Sequence, residues 1–257
     1  MQLRYFTAVT RLNLLQQLRN PASILILTIV PLVIIPFMEP AFKAMLLQDG
    51  YTNVTGSEQA VPAMAVLFAF LAVQTIIQSF FHEKTWGMWP RLKMSAASKG
   101  ALLGGKAFVA YLIQSVQAIA IIALGAVLFG FRPKGSLWAL LLIILTFSAI
   151  LAALGIALAL WTPSEELALS LSSVIGMLAA GIGGSFCTVS SFPEWAQPIS
   201  RFSPAYWALD AVHAVSLDGA SIADILPQVG MLAVFLIVII GAIILNYMVR
   251  GFMSAQK

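Results

Sequence analysis

The residues best equipped for chemistry lie between positions 82 and 99, HEKTWGMWPRLKMSAASK. Glu83, Lys84, Arg91, Lys93 and Lys99 fall there, whereas the flanking runs 61–81 and 107–130 carry no charge. A charged island between two membrane-length apolar runs lies in water at one bilayer face, and its net positive balance makes that face cytoplasmic. Trp86 and Trp89, with Pro90 between basic residues, suit a structured surface against which something docks. The plainer alternative is a basic loop that only fixes orientation.

Catalytic chemistry is missing by comparison. The sequence holds no HExxH or GxSxG pattern and no paired acids in one pocket. Its single cysteine, Cys187, excludes an internal disulfide framework and a multi-cysteine metal site. Residues 100–106, GALLGGK, match seven positions of a phosphate-binding GxxxxGK[ST] loop, but Ala107 stands where the magnesium-binding hydroxyl belongs. No strand precedes it and an apolar span follows. Softening of the start of that span, with Lys106 anchored at the headgroups, is the expectation here. Two pairs of amides remain: Gln74 with Gln78, and Gln114 with Gln117, each on one face of an apolar run. In hydrocarbon an amide wants a partner helix or a polar route, so both interhelical bonding and contact with cargo stay open.

Sixty per cent of the 257 residues are hydrophobic and only 9% are charged. A soluble domain carries about a quarter charged residues, so the chain is expected to be an all-α polytopic membrane protein. Its excess of basic residues sits where topology needs it and gives no sign of nucleic-acid binding.

Along the chain, residues 1–20 place Arg4, Arg11 and Arg19 near one helix face and apolar residues on much of the rest. That predicts an amphipathic helix in the interface rather than a cleaved leader. Six spans follow, near 22–38, 61–81, 107–130, 137–161, from about 167, and 228–248. Pro31 and Pro36 are expected to break the ladder of the first. Residues 40–60 are expected to form a polar link, and the fifth span to soften around Gly176, Gly181, Gly183 and Gly184. Ser164 or Thr162 is placed to cap the fifth span. Residues 186–227 are too long for a plain link and mix Pro193, Trp195, Pro198, Pro204, Tyr206 and Trp207. Their pattern predicts a short helix from Pro204, with Trp207, Ala211 and Ala214 on one side and Asp210 and His213 on another. It would dip into, or lie on, the outer leaflet. Both ends of the chain then lie in the cytoplasm.

No ionisable residue sits deep in a span, as coupled carriers commonly require, so transport would need outside power, and the island is the place to receive it. The same residues carry a family likeness. Glu83, Lys84, Gly87 and Leu92, followed by Gly105-Lys106, resemble the first cytoplasmic loop of ABC-2 type transporter permeases, with departures at Met88 and at Ala96–Ala97. Gly183-Gly184, Phe192 to Trp195, Ile199-Ser200 and Pro204 to Asp210 resemble that family's outer segment before the last span.

The resemblance covers essentially the whole chain. It implies a single transmembrane domain without an ATPase of its own, a drug-resistance-like efflux permease in a bacterial inner membrane. A separate ATP-binding subunit would hold ATP and Mg, and a second permease subunit, identical or different, would complete the pair. Residues 82–99 would be the coupling loop, with Glu83, Lys84, Gly87, Trp89, Arg91 and Leu92 engaging the ATPase. Residues 1–20 would be an elbow helix. Pro193, Trp195, Pro204, Tyr206, Trp207 and Asp210, within 186–227, would form an outer gate, and the four glutamines would face the path. Apolar spans suit an amphipathic or hydrophobic cargo. The rival expectation is a membrane scaffold or assembly protein that uses the island passively.

Overall fold

The computed structural model describes residues 2–19, 21–85 and 99–254. Its elements are α1 (Gln2–Arg19), α2 (Ala22–Gln48), α3 (Ser57–Thr85), α4 (Lys99–Phe129), α5 (Leu137–Trp161) and α6 (Glu165–Ile182). A 3-10 turn at Val189–Ser191, α7 (Gln197–Ser200), α8 (Pro204–Ser216) and α9 (Leu226–Ser254) follow. No strand occurs among the described residues, and six helices, α2 to α6 and α9, are long and apolar enough to cross a membrane. The protein is thus all-α and polytopic, as hydropathy predicts.

Buried side chains concentrate on α3, which packs against α2, α4, α5, α6 and α8. Its neighbours approach through glycines. A Cβ on Gly125 of α4 would meet Val61, one on Gly155 of α5 would meet Ile76, and one on Gly176 of α6 would meet Phe70. Large α3 side chains therefore occupy the space that three glycines leave, which lets apolar helices pack closely where lipid gives no hydrophobic drive. Phe70 adds an edge-on contact with Phe147 of α5, with ring centroids 5.6 Å apart. By contrast α2 and α9 leave most of their apolar surface outward, including Phe37, Val33, Ile237 and Val238. Such faces are compatible with lipid, not with water.

Serines start three of the later helices, α5, α6 and α8. The Oγ atoms of Ser136, Ser164 and Ser203 accept from the backbone N–H groups of Ala139, Leu167 and Ala205. Each offsets a donor that the first helical turn leaves unpaired. Ser164 is thus the cap of α6, with Glu165 and Glu166 in its first turn favoured by the helix dipole.

Several expectations need correction. α2 continues past Pro31, Pro36 and Pro40 to Gln48, each proline losing its own ladder bond as expected, so the link to α3 is only 49–56 rather than 40–60. Prolines in bilayer-length helices are tolerated where neighbours satisfy the freed carbonyls. Pro31 shows how: it cannot donate to the Leu27 carbonyl, and Gln117 Nε2 of α4 donates to that oxygen instead, at 3.3 Å. The glycines of α6 do not soften it before Ile182; the turn begins only at Gly183. Residues 100–106 lie inside α4 as continuous helix, where Gly104 and Gly105 admit Phe6 and Val9 of α1. Lys106 Nζ is buried and sits 4.6 Å over the Phe80 ring. On α8 the buried stripe is Ala205, Ala208, Leu209, Ala211, Val212 and Val215, whereas Trp207 and Ala214 are half-buried. That helix packs among α3, α5, α6 and α9.

Candidate functional site

The two ends of α3 carry different chemistry. Glu83 and Lys84 sit on its last turn, which leads into the charged island. Gly87, Trp89, Arg91 and Leu92 lie outside the described residues. Next to the island, exposed His82 approaches Glu165 at the start of α6, with Nε2 3.9 Å from Oε1. At that distance and exposure the pair is a weak tie.

Within the span, three of the four amides point at other helices. Gln74 Nε2 donates to Ser173 Oγ of α6 at 2.8 Å. Gln114 Nε2 donates to the Ala69 carbonyl of α3, and Gln117 to Leu27 of α2. Gln114 and Gln117 are buried, and Gln78 is half-buried one turn beyond Gln74. In this conformation the bonded amides hold helices together.

The opposite end of α3 opens into a polar cleft of about 410 Å³. Asp49 and Tyr51 reach it from the 49–56 link, Gln59 from the first turn of α3, and Tyr206, Asp210 and His213 from one face of α8. Gly183 and Gly184 floor it, and Gly184 has φ +102°, a left-handed turn that glycine adopts without penalty. That turn sends the chain from α6 toward α8. Pro204 then opens α8 under the Ser203 cap, and Ser203 Oγ donates to Ala179 of α6.

Of the residues expected in an outer gate, Tyr206 and Asp210 line this cleft. Trp207 stacks edge-on against Tyr206, with centroids 5.2 Å apart, and its Nε1 donates to the Arg201 carbonyl. Trp195 is 74% exposed on the segment carrying Pro193. Sequence reasoning put His213 on the same side of its helix as Asp210 but missed Asp49, Tyr51 and Gln59. These come from the 49–56 link and the first turn of α3, and the signal that could have marked Gln59 is an amide in the first turn of an apolar span.

Polar groups of the cleft are not all satisfied. Gln59 is fully buried and donates to the Gly184 carbonyl at 2.9 Å, yet its Oε1 has no partner. Buried His213 Nε2 also has none, nor does Oε1 of Gln228, whose Nε2 donates to Asp210 Oδ2 at 3.0 Å. Unpaired buried polar atoms are costly and mark strain, water or ligand. Burial pushes the His213 imidazole below its ordinary value of 6.5, against the upward pull of Asp210, Asp218 and Asp49. Tyr51 is pushed up, first by burial and then by the Asp218 carboxylate that it bonds.

A neutral histidine folded into the protein binds fewer protons than the same residue unfolded. Stability is therefore expected to fall as pH drops below 6.5 toward the depressed folded value. In a His213→Asn variant the loss of thermal midpoint over that window should be smaller by about 3 °C. An unchanged pH profile would show that the imidazole takes up its proton while folded.

A family model described as ABC-2 family transporter protein matches residues 46–245, from the last turn of α2 into α9. The chain belongs to the ABC-2 transporter family. It is also similar to the linearmycin resistance permease protein LnrN of Bacillus subtilis (strain 168), at 22% identity over 198 residues. The match covers 76% of this chain and 51% of that protein, so the chain spans about half the length of this relative. Both the polar cleft and the glycine-lined contacts of α3 fall within the stretch that the ABC-2 family model covers.

Proposed function

We propose that the chain is the membrane-spanning permease subunit of an ATP-binding cassette exporter. It moves an amphipathic or hydrophobic compound out of the cytoplasm with ATP hydrolysed on a separate subunit. Family membership over residues 46–245 carries this reading. One feature supports outside power: the phosphate-loop lookalike at 100–106 is ordinary helix. ATP and Mg then belong to the ATP-binding subunit, docked on the 82–99 loop through Glu83, Lys84, Gly87, Trp89, Arg91 and Leu92. A second permease subunit, identical or different, covers part of the apolar surface of α2 and α9. Gln74, Gln78, Gln114 and Gln117 exchange helix bonds for cargo contacts as the helices rock. The setting is a bacterial cytoplasmic membrane, with both chain ends and the 82–99 loop inside. The resistance named for the LnrN relative favours a toxic compound as cargo.

The test is reconstitution of the chain with its ATP-binding partner in liposomes. Glu83→Ala and Arg91→Ala are expected to cut ATP-driven export roughly tenfold, the loss of one strong charge-assisted contact, while the complex still co-purifies. Export by the chain alone, or labelling of residues 82–99 from the external face, would overturn the reading.

A further inference from the structure

The distal cleft carries more charge than it neutralises. Asp49, Asp210 and Asp218 all act on His213, and they come from the 49–56 link, from α8 and from the turn after α8. Among the described residues the one contact within 4 Å between a carboxylate and a basic side chain is His82–Glu165, at the other end of α3, so none of the three carboxylates has such a contact. The nearby Lys134 directs its Nζ to the Leu217 carbonyl at 3.1 Å. Burial keeps His213 neutral near neutrality, so it does not cancel the negative charge.

We propose that this cleft binds an organic cation, an ammonium, phosphonium or amidinium group on an apolar body. Three features define the ligand. First, Gln59 Oε1 is a fully buried acceptor in the cleft wall without a donor, and a cationic N–H or a polarised C–H satisfies it. Second, no three acidic, histidine or cysteine groups among the described residues converge on one point closely enough to hold a metal ion. Dispersed carboxylates suit a cation whose charge is spread over a larger volume, and 410 Å³ is the room such a body needs. Third, Tyr206 and Tyr51 line the space, and aromatic faces attract cations. Anions are disfavoured by the same field, and a neutral polyol would make no use of it.

The binding chemistry stands on the cleft alone; that the cleft is a release site for exported cargo rests on the transporter reading. The test uses the full chain in nanodiscs of zwitterionic lipid, with no ATPase present. Tetraphenylphosphonium is titrated calorimetrically against tetraphenylborate, its anionic counterpart of similar shape, with empty nanodiscs subtracted. Saturable binding of the phosphonium and not of the borate is expected. Asp49→Asn and Asp210→Asn should each weaken it about fivefold. Asp224→Asn, which removes an exposed carboxylate bonded only to Ser221, should leave it unchanged. Asp49 is exposed, so its variant keeps the fold intact even where Asp210→Asn loosens Gln228. Absence of saturable phosphonium binding, equal binding of borate, or an Asp224→Asn effect as large as that of Asp49→Asn would overturn the proposal. None of these outcomes bears on ATP-driven export, which the liposome assay tests separately.

Discussion

Gly183→Val is expected to abolish the folded protein at ordinary growth temperature, with a loss of about 3 kcal/mol or more. The reason is a backbone contact. A Cβ at Gly183 would overlap the Ala205 Cβ and stand 2.8 Å from both Tyr206 N and Ala179 O. None of these neighbours is a side chain that can swing away, so α8 would have to leave α6. That movement also breaks the bond from Ser203 Oγ to the Ala179 carbonyl and removes the floor of the cleft. The adjacent Gly184 makes an informative comparison. Its φ of +102° penalises any other residue, but a left-handed alanine costs only about 1–2 kcal/mol. Gly184→Ala should therefore express and unfold early, whereas Gly183→Val should be missing from the membrane fraction. Equal accumulation of the two variants, measured by in-gel fluorescence of a fused reporter, would show that α6 and α8 are not held as described.

Fold class and span number were legible because transfer of apolar side chains dominates a chain with so few charges. The boundaries were less so. Residues 40–48 contain Pro40 and Lys43 and look like a loop, yet α2 continues through them, with Phe42 and Leu46 buried. Local polarity loses there to tertiary packing, which a single window cannot see. Gln117 and Pro31 were each conspicuous, but their pairing joins residues 90 positions apart, and nothing in either neighbourhood specifies it. Tyr206 and Asp210 were legible as part of an outer segment. His213 was legible beside Asp210 on one helix, but Asp49 and Gln59 were not placed beside them, because the cleft is made by three chain segments meeting at the Gly183-Gly184 turn. The 82–99 loop, for which the sequence argued most strongly, lies mostly outside the described residues, and its role rests on the export experiment.

The packing of α3 leads to the other large expected effect. Gly125→Ala places a methyl 2.5 and 2.9 Å from the two γ carbons of Val61, a side chain with no exposure. Val61 is β-branched and confined on a helix, so the clash should cost about 2 kcal/mol. Val61→Ala alone should cost a similar amount, about 2 kcal/mol, by leaving a cavity. In the double variant the new methyl enters the space vacated by the old ones, with Cβ 3.3 Å from Cβ. Its stability in mixed-micelle unfolding should return to within about 1 kcal/mol of the parent, a coupling well outside the additive range. Additive losses would mean that α3 and α4 are separated by lipid at this level. The outcome bears on function because α3 carries Glu83 and Lys84 at one end and Gln59 at the other. Glycine sockets on α4, α5 and α6 grip α3 along its length, so force applied at the charged end would reach the cleft by moving packed helices together, not by bending one of them.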